Sequence, residues 1–74
     1  MAITINEGSM TAEIDEVVIA TATRTAGHWT ASNWPTALTR NQAITAMMIA
    51  EYLATGHGDD DPFVMSWREE LPRG

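Results

Sequence analysis

A chain of 74 residues without a cysteine has to hold itself together by packing alone. A core of that size supplies only about 3–5 kcal/mol before a staple or a second subunit adds to it. The missing thiols remove disulfides, thiolate metal sites and a cysteine nucleophile together. What remains is one small domain with closely packed elements, or oligomerisation. Absence of cysteine fits either redox compartment.

The clearest local signal lies in the middle of the chain. Thr39-Arg40-Asn41-Gln42 has the form of a capping box, with Thr39 as N-cap and Gln42 reaching back from N3. It predicts a helix over 40–55, ended by Gly56. Ala43, Ala46, Met47, Ile49, Ala50, Leu53 and Ala54 give it a broad apolar face, and Ile44, Met48 and Tyr52 add a separate i, i+4, i+8 stripe. A helix apolar on nearly all sides is central and buried, and its alanines allow close approach of a neighbour. Asp61-Pro62 pairs an N-cap with proline at N1, which predicts a second helix over 62–71, closed by Pro72. Phe63, Val64, Trp67 and Leu71 share one side of it, and Met65 points with the polar residues.

The first third of the chain is read as helical too, over 11–26. Ser9 or Thr11 offers a cap, Glu13, Asp15 and Glu16 suit the positive end of the helix dipole, and Arg24 and Gly27 suit the other end. Ile14, Val17, Val18, Thr21 and Thr25 fall on one face, leaving Ile19 on the opposite one. The many threonines lower helix propensity, so this element depends on tertiary packing. Residues 1–10 read as a flexible start in which Ile3-Thr4-Ile5 allows a short edge strand, and Asn6 to Ser9 reads as a turn. Arg73-Gly74 is expected to fray. The expected architecture is therefore all-α: a single three-helix domain over 11–74, a small helical bundle with an irregular tryptophan-containing loop between its first two helices.

Charge narrows the function classes. Ten acidic side chains face four basic ones, all arginine, for a net charge of −6. Duplex binding draws its affinity largely from cations that neutralise phosphates, so direct nucleic-acid binding is not expected. The opening MAITINEGSM has no basic n-region and no apolar h-region, so it is not a secretory signal. AITAMMIAEYLA is interrupted by Glu51 and falls short of the ~20 residues that cross a bilayer. A soluble, cytoplasmic protein with no membrane partner is expected. Eleven alanines, ten threonines and no lysine read as coding bias.

The densest ionisable cluster is Gly56-His57-Gly58-Asp59-Asp60-Asp61. His57, Asp59 and Asp61 are its candidate metal ligands. Counted from Asp59, Asp61 and Glu70 fall at positions 3 and 12 of a calcium loop, but Phe63 and Val64 occupy positions 5 and 6, where a ligand and a glycine belong. Zinc would find only His28 and His57 as nitrogen ligands. The plainer reading is a solvated turn whose carboxylates favour a helix N-terminus. The segment is no phosphate loop, and Ser9, Ser32 and Ser66 sit in no nucleophile motif. No cofactor and no catalysis are expected, since two histidines and a small core leave little to build a preorganised site from. The last two helices resemble a helix-turn-helix in order, but the entering helix, FVMSWREEL, is led by three aspartates and carries one arginine.

Apolar residues surplus to one core are the better functional lead. Ile19, Ile44, Met48, Tyr52 and Met65 have no obvious partners, and methionine and tyrosine suit adaptable contacts. Trp29 and Trp34 either cap the core or form an exposed recognition pair. The leading expectation is a non-catalytic module that binds another protein, and that forms a homodimer through Ile44, Met48 and Tyr52. The alternatives are a nucleic-acid-linked role, as accessory factor or acidic inhibitor, and a metal-dependent activity at the acidic turn.

Overall fold

In this computed structural model, which describes residues 2–72, no helix occupies residues 11–26. Met1 and the Arg73-Gly74 end expected to fray lie outside the described residues. The elements are β1 (Ala2–Ile5), β2 (Ser9–Ile14), β3 (Val17–Thr25), β4 (His28–Ala31), α1 (Arg40–Ala54) and α2 (Pro62–Glu70). The strands form one antiparallel sheet in the order β1-β2-β3-β4. The all-α, three-helix expectation is corrected to a two-layer α/β fold, and the helical bundle to a sheet with two helices.

Two tight turns carry the difference. Asp15 and Glu16, between β2 and β3, have φ of 51° and 67°; Ala26 and Gly27, between β3 and β4, have φ of 52° and 85°. Positive φ at both central residues is the mark of the hairpin turn whose twist matches its strands. The acidic pair assigned to a first helical turn therefore reverses the chain, and Gly27 closes a hairpin rather than a helix. Between these turns runs Val17-Val18-Ile19-Ala20-Thr21-Ala22-Thr23-Arg24-Thr25, rich in the β-branched residues that suit a pleated surface. Residues 2–5, expected within a flexible start, pair with β2 as the edge strand that Ile3-Thr4-Ile5 allowed.

The sheet has two unlike faces. Ile3, Met10, Ala12, Ala20, Ala22, Trp29 and Ala31 belong to the core. The alternate positions carry threonines in cross-strand register, Thr4 beside Thr11, Thr11 beside Thr21, and Thr23 beside Thr30. The excess of alanine and threonine thus has a positional cause: alanine faces the helix and threonine faces away. The register skips Ile19, which stands at a β-bulge between the Ala12–Ala20 and Glu13–Val18 pairs.

α1 lies across β2, β3 and β4, and α2 packs on α1. Buried Ala43 and Ala46 on the helix and Ala12, Ala20, Ala22 and Ala31 on the strands are small enough for close approach, with Met10, Met47 and Val64 filling the remaining space. The capping box forms as expected: Gln42 N donates to Thr39 Oγ1 at 3.2 Å, and Thr39 N donates to Gln42 Oε1 at 2.9 Å. The loop before α1 is pinned at several points. Trp29 and Leu38 exchange two backbone hydrogen bonds of 2.8 Å, and Asn33 Nδ2 donates to Ala46 O at 2.9 Å. Trp34 Nε1 and Thr36 Oγ1 donate to Pro72 O at 2.8 and 3.0 Å, which ties the end of the described chain to this loop. No described helix is long and apolar enough to cross a membrane.

Candidate interaction surface

Tyr52 sits half a turn around α1 from Ala43, on the side away from the sheet. Its ring meets three others. The His57 imidazole lies 4.4 Å away at 30°, Trp67 lies 4.8 Å away edge-on at 80°, and Phe63 lies 6.3 Å away at 70°. Phe63 and Trp67 are 5.9 Å apart, one turn from each other on α2. Such arrangements are favourable beyond their buried area. Tyr52 and Trp67 are half-buried, whereas Phe63 is 61% exposed. The four rings make a ridge across the α1–α2 junction, with His57 and Phe63 left to solvent. Periodicity puts Phe63 with Val64, Trp67 and Leu71, but of these only Val64 and Leu71 are buried.

The turn before α2 positions this ridge. Gly56 follows α1 at φ 97°, the left-handed conformation that ends a helix, and His57 N donates back to Tyr52 O at 3.1 Å. His57 Nδ1 then stands 2.8 Å from Asp61 Oδ2, while Asp61 Oδ1 accepts from Phe63 N at 2.9 Å and Val64 N at 3.3 Å. The His57 hydrogen bond, followed by those from Val64 and Phe63, holds the Asp61 carboxyl below the usual aspartate range, although desolvation works against it. Asp59 is engaged elsewhere, with Oδ1 2.7 Å from Arg68 Nη2. The candidate ligands His57, Asp59 and Asp61 thus divide into a helix cap with its histidine and a surface ion pair. Among the described residues no group of three His, Asp or Glu side chains is arranged to hold a metal ion.

The remaining candidates scatter. Ile44 and Tyr52 are half-buried against the core cluster, and Met48 is half-buried between them along the helix. Ile19 is half-buried against the same cluster from the sheet. Trp29 is 3% exposed and belongs to the core, and Trp34 packs on it with its indole N–H satisfied by Pro72. Met65 is 51% exposed, on the side of α2 opposite Phe63. Ile44, Met48 and Tyr52 therefore stay together and gain Phe63 and Trp67, while Ile19, Met65, Trp29 and Trp34 stand apart from that surface.

A second feature joins residues that are far apart in the sequence. A cavity of about 790 Å³ opens where the β1–β2 turn, the end of β3, the start of β4 and the N-terminus of α1 meet. Arg24, His28 and Arg40 line it together with Ile5, Trp29 and Leu38. These three basic residues come from separate segments, so spacing alone could not join them. The available signal was phase: Arg24 continues the alternation of buried Ala20 and Ala22, where an apolar residue belongs. Comparison with protein-family models, curated proteins and solved structures returned no match to this chain.

Proposed function

We propose that this chain is a small, non-catalytic, cytoplasmic protein-interaction module that works as a homodimer. The observation that carries this reading is the aromatic ridge, Tyr52 with Phe63 and Trp67, whose outermost ring is largely in solvent. Aromatic side chains grouped in one place, part buried and part free, are what interface hot spots are made of. The ridge continues into half-buried Met48 and Ile44 along α1. An isologous two-fold contact lets one such face cover its own copy. It also adds apolar burial to a core whose strand side is mostly alanine. The sheet's outer face, with its threonines, is the less apolar alternative.

Sedimentation of the wild type beside Phe63→Glu tests the reading. The wild type is expected to be dimeric at micromolar concentration, and the variant to be monomeric with an unchanged circular dichroism spectrum. Each hot-spot ring costs about 2 kcal/mol, and the substitution removes one from each copy, so about 4 kcal/mol, or roughly 1000-fold in the dimer dissociation constant. A wild type that remains monomeric at millimolar concentration overturns the homodimer.

A further inference from the structure

We propose that the cleft at the N-terminus of α1 binds a small organic anion, a carboxylate or phosphate carried on a flat apolar body. This site is separate from the aromatic ridge and does not depend on it. Arg24 is the penultimate residue of β3, Arg40 is the first residue of α1, and His28 opens β4. Within the described residues the ion pairs are His57–Asp61 and Arg68–Asp59, so neither Arg24 nor Arg40 has a carboxylate within pairing distance. Glu7 is the one carboxylate that lines the cleft. In a chain of net charge −6, this cleft is lined by two arginines and a single carboxylate.

Arg24 brings a positive charge to the wall of the cleft. It faces the helix side of the sheet, opposite Trp29 in the register, in the phase that alanine fills at 20 and 22. Its guanidinium is exposed at the cleft and has no ion-pair partner among the described residues. A bound anion supplies that partner. The helix start adds donors: Gln42 N is taken by Thr39 Oγ1 and Ala43 N by Thr39 O, which leaves the Arg40 and Asn41 amides without an acceptor among the described residues. Ile5, Trp29 and Leu38 form the apolar wall, so a bare inorganic ion leaves most of the cavity unused.

The test is an amide and indole NMR titration with phenyl phosphate and with benzoate. Benzyl alcohol serves as the uncharged control and inorganic phosphate as the body-less one. Expected are saturable shifts at Ile5, Arg24, the Trp29 indole, Arg40 and Gln42 with at least one of the aromatic anions at millimolar concentration, and unmoved signals at Phe63 and Trp67. Arg24→Gln and Arg40→Gln, each checked for native signal dispersion, are expected to weaken binding by about tenfold. No shift with either aromatic anion overturns the proposal. So does an equal response to benzyl alcohol that survives both substitutions, and so does inorganic phosphate binding as tightly as phenyl phosphate.

Discussion

His57 Nδ1 and Asp61 Oδ2 are 2.8 Å apart across the turn that joins the two helices, and Asp61 also caps α2 through its other oxygen. One carboxylate thus holds the helix start and the imidazole that stacks on Tyr52. Its pKa is depressed in the folded protein, so the folded state binds a proton at this site less readily than the unfolded chain does. The associated stability is present above the unfolded aspartate value, about 4, and is lost as the pH falls through the folded value. In urea unfolding, the wild type is expected to lose more of its midpoint between pH 5 and pH 3 than Asp61→Asn, which keeps a capping oxygen but has no proton to take up. Equal losses in the two proteins count against the role given to Asp61.

The turn between β2 and β3 is built from residues that do not favour it. Asp15 and Glu16 both hold positive φ, and neither is glycine. Left-handed backbone costs an L-residue about 1 kcal/mol or more, and the second position of this turn is where glycine is preferred. Glu16→Gly should stabilise the protein by roughly 0.5–1 kcal/mol, the strain relieved exceeding the entropy glycine adds to the unfolded chain. Thermal denaturation reads it directly. A lower melting temperature contradicts the strain assigned to Glu16.

The two halves of the chain signal their structure with unequal strength. Both helices in the second half announce themselves through stereochemistry that only a helix start uses, Thr39 with Gln42 and Asp61 with Pro62. The strands have a period of two, but it is written in alanine and threonine: Ala12, Ala20 and Ala22 inside, Thr11, Thr21 and Thr23 outside. Those residues differ little in hydrophobicity, and the bulge at Ile19 shifts the phase of the stronger Val17-Val18 pair. The Asp15-Glu16 turn gives no glycine signal, and Gly27 fits a helix end as well as a hairpin. At the site, Tyr52 was legible from its spacing on one helix. Phe63 was not, because its place depends on the angle at which α2 meets α1.

Glu51 is an opportunity for the opposite kind of substitution. It is 6% exposed, and its Oε2 has no hydrogen-bond partner among the described residues. A buried acceptor without a donor carries a desolvation penalty of about 1–3 kcal/mol. Glu51→Met keeps the length and the helix propensity and removes the polar atom. The melting temperature is expected to rise, by an amount equivalent to about 1–2 kcal/mol. A fall shows that the carboxylate is satisfied and contributes to the fold.

The sheet's outer face offers a control. Thr21 and Thr23 are exposed, on the side away from both helices. Replacing both by serine should lower stability slightly, by no more than about 1 kcal/mol through lost β propensity, and leave self-association unchanged. A dimer that weakens with this pair places the contact on the sheet instead.

The proposed homodimer contact is tested most directly by isotope-filtered NOE spectroscopy on an equimolar mixture of labelled and unlabelled protein. Only contacts between copies give signals in that experiment. The expected result is intermolecular NOEs to the rings of Tyr52, Phe63 and Trp67 and to the Met48 methyl, with none to Thr4, Thr11, Thr21 or Thr23. Intermolecular NOEs confined to the threonine face or to β1, or none at millimolar concentration, would contradict it.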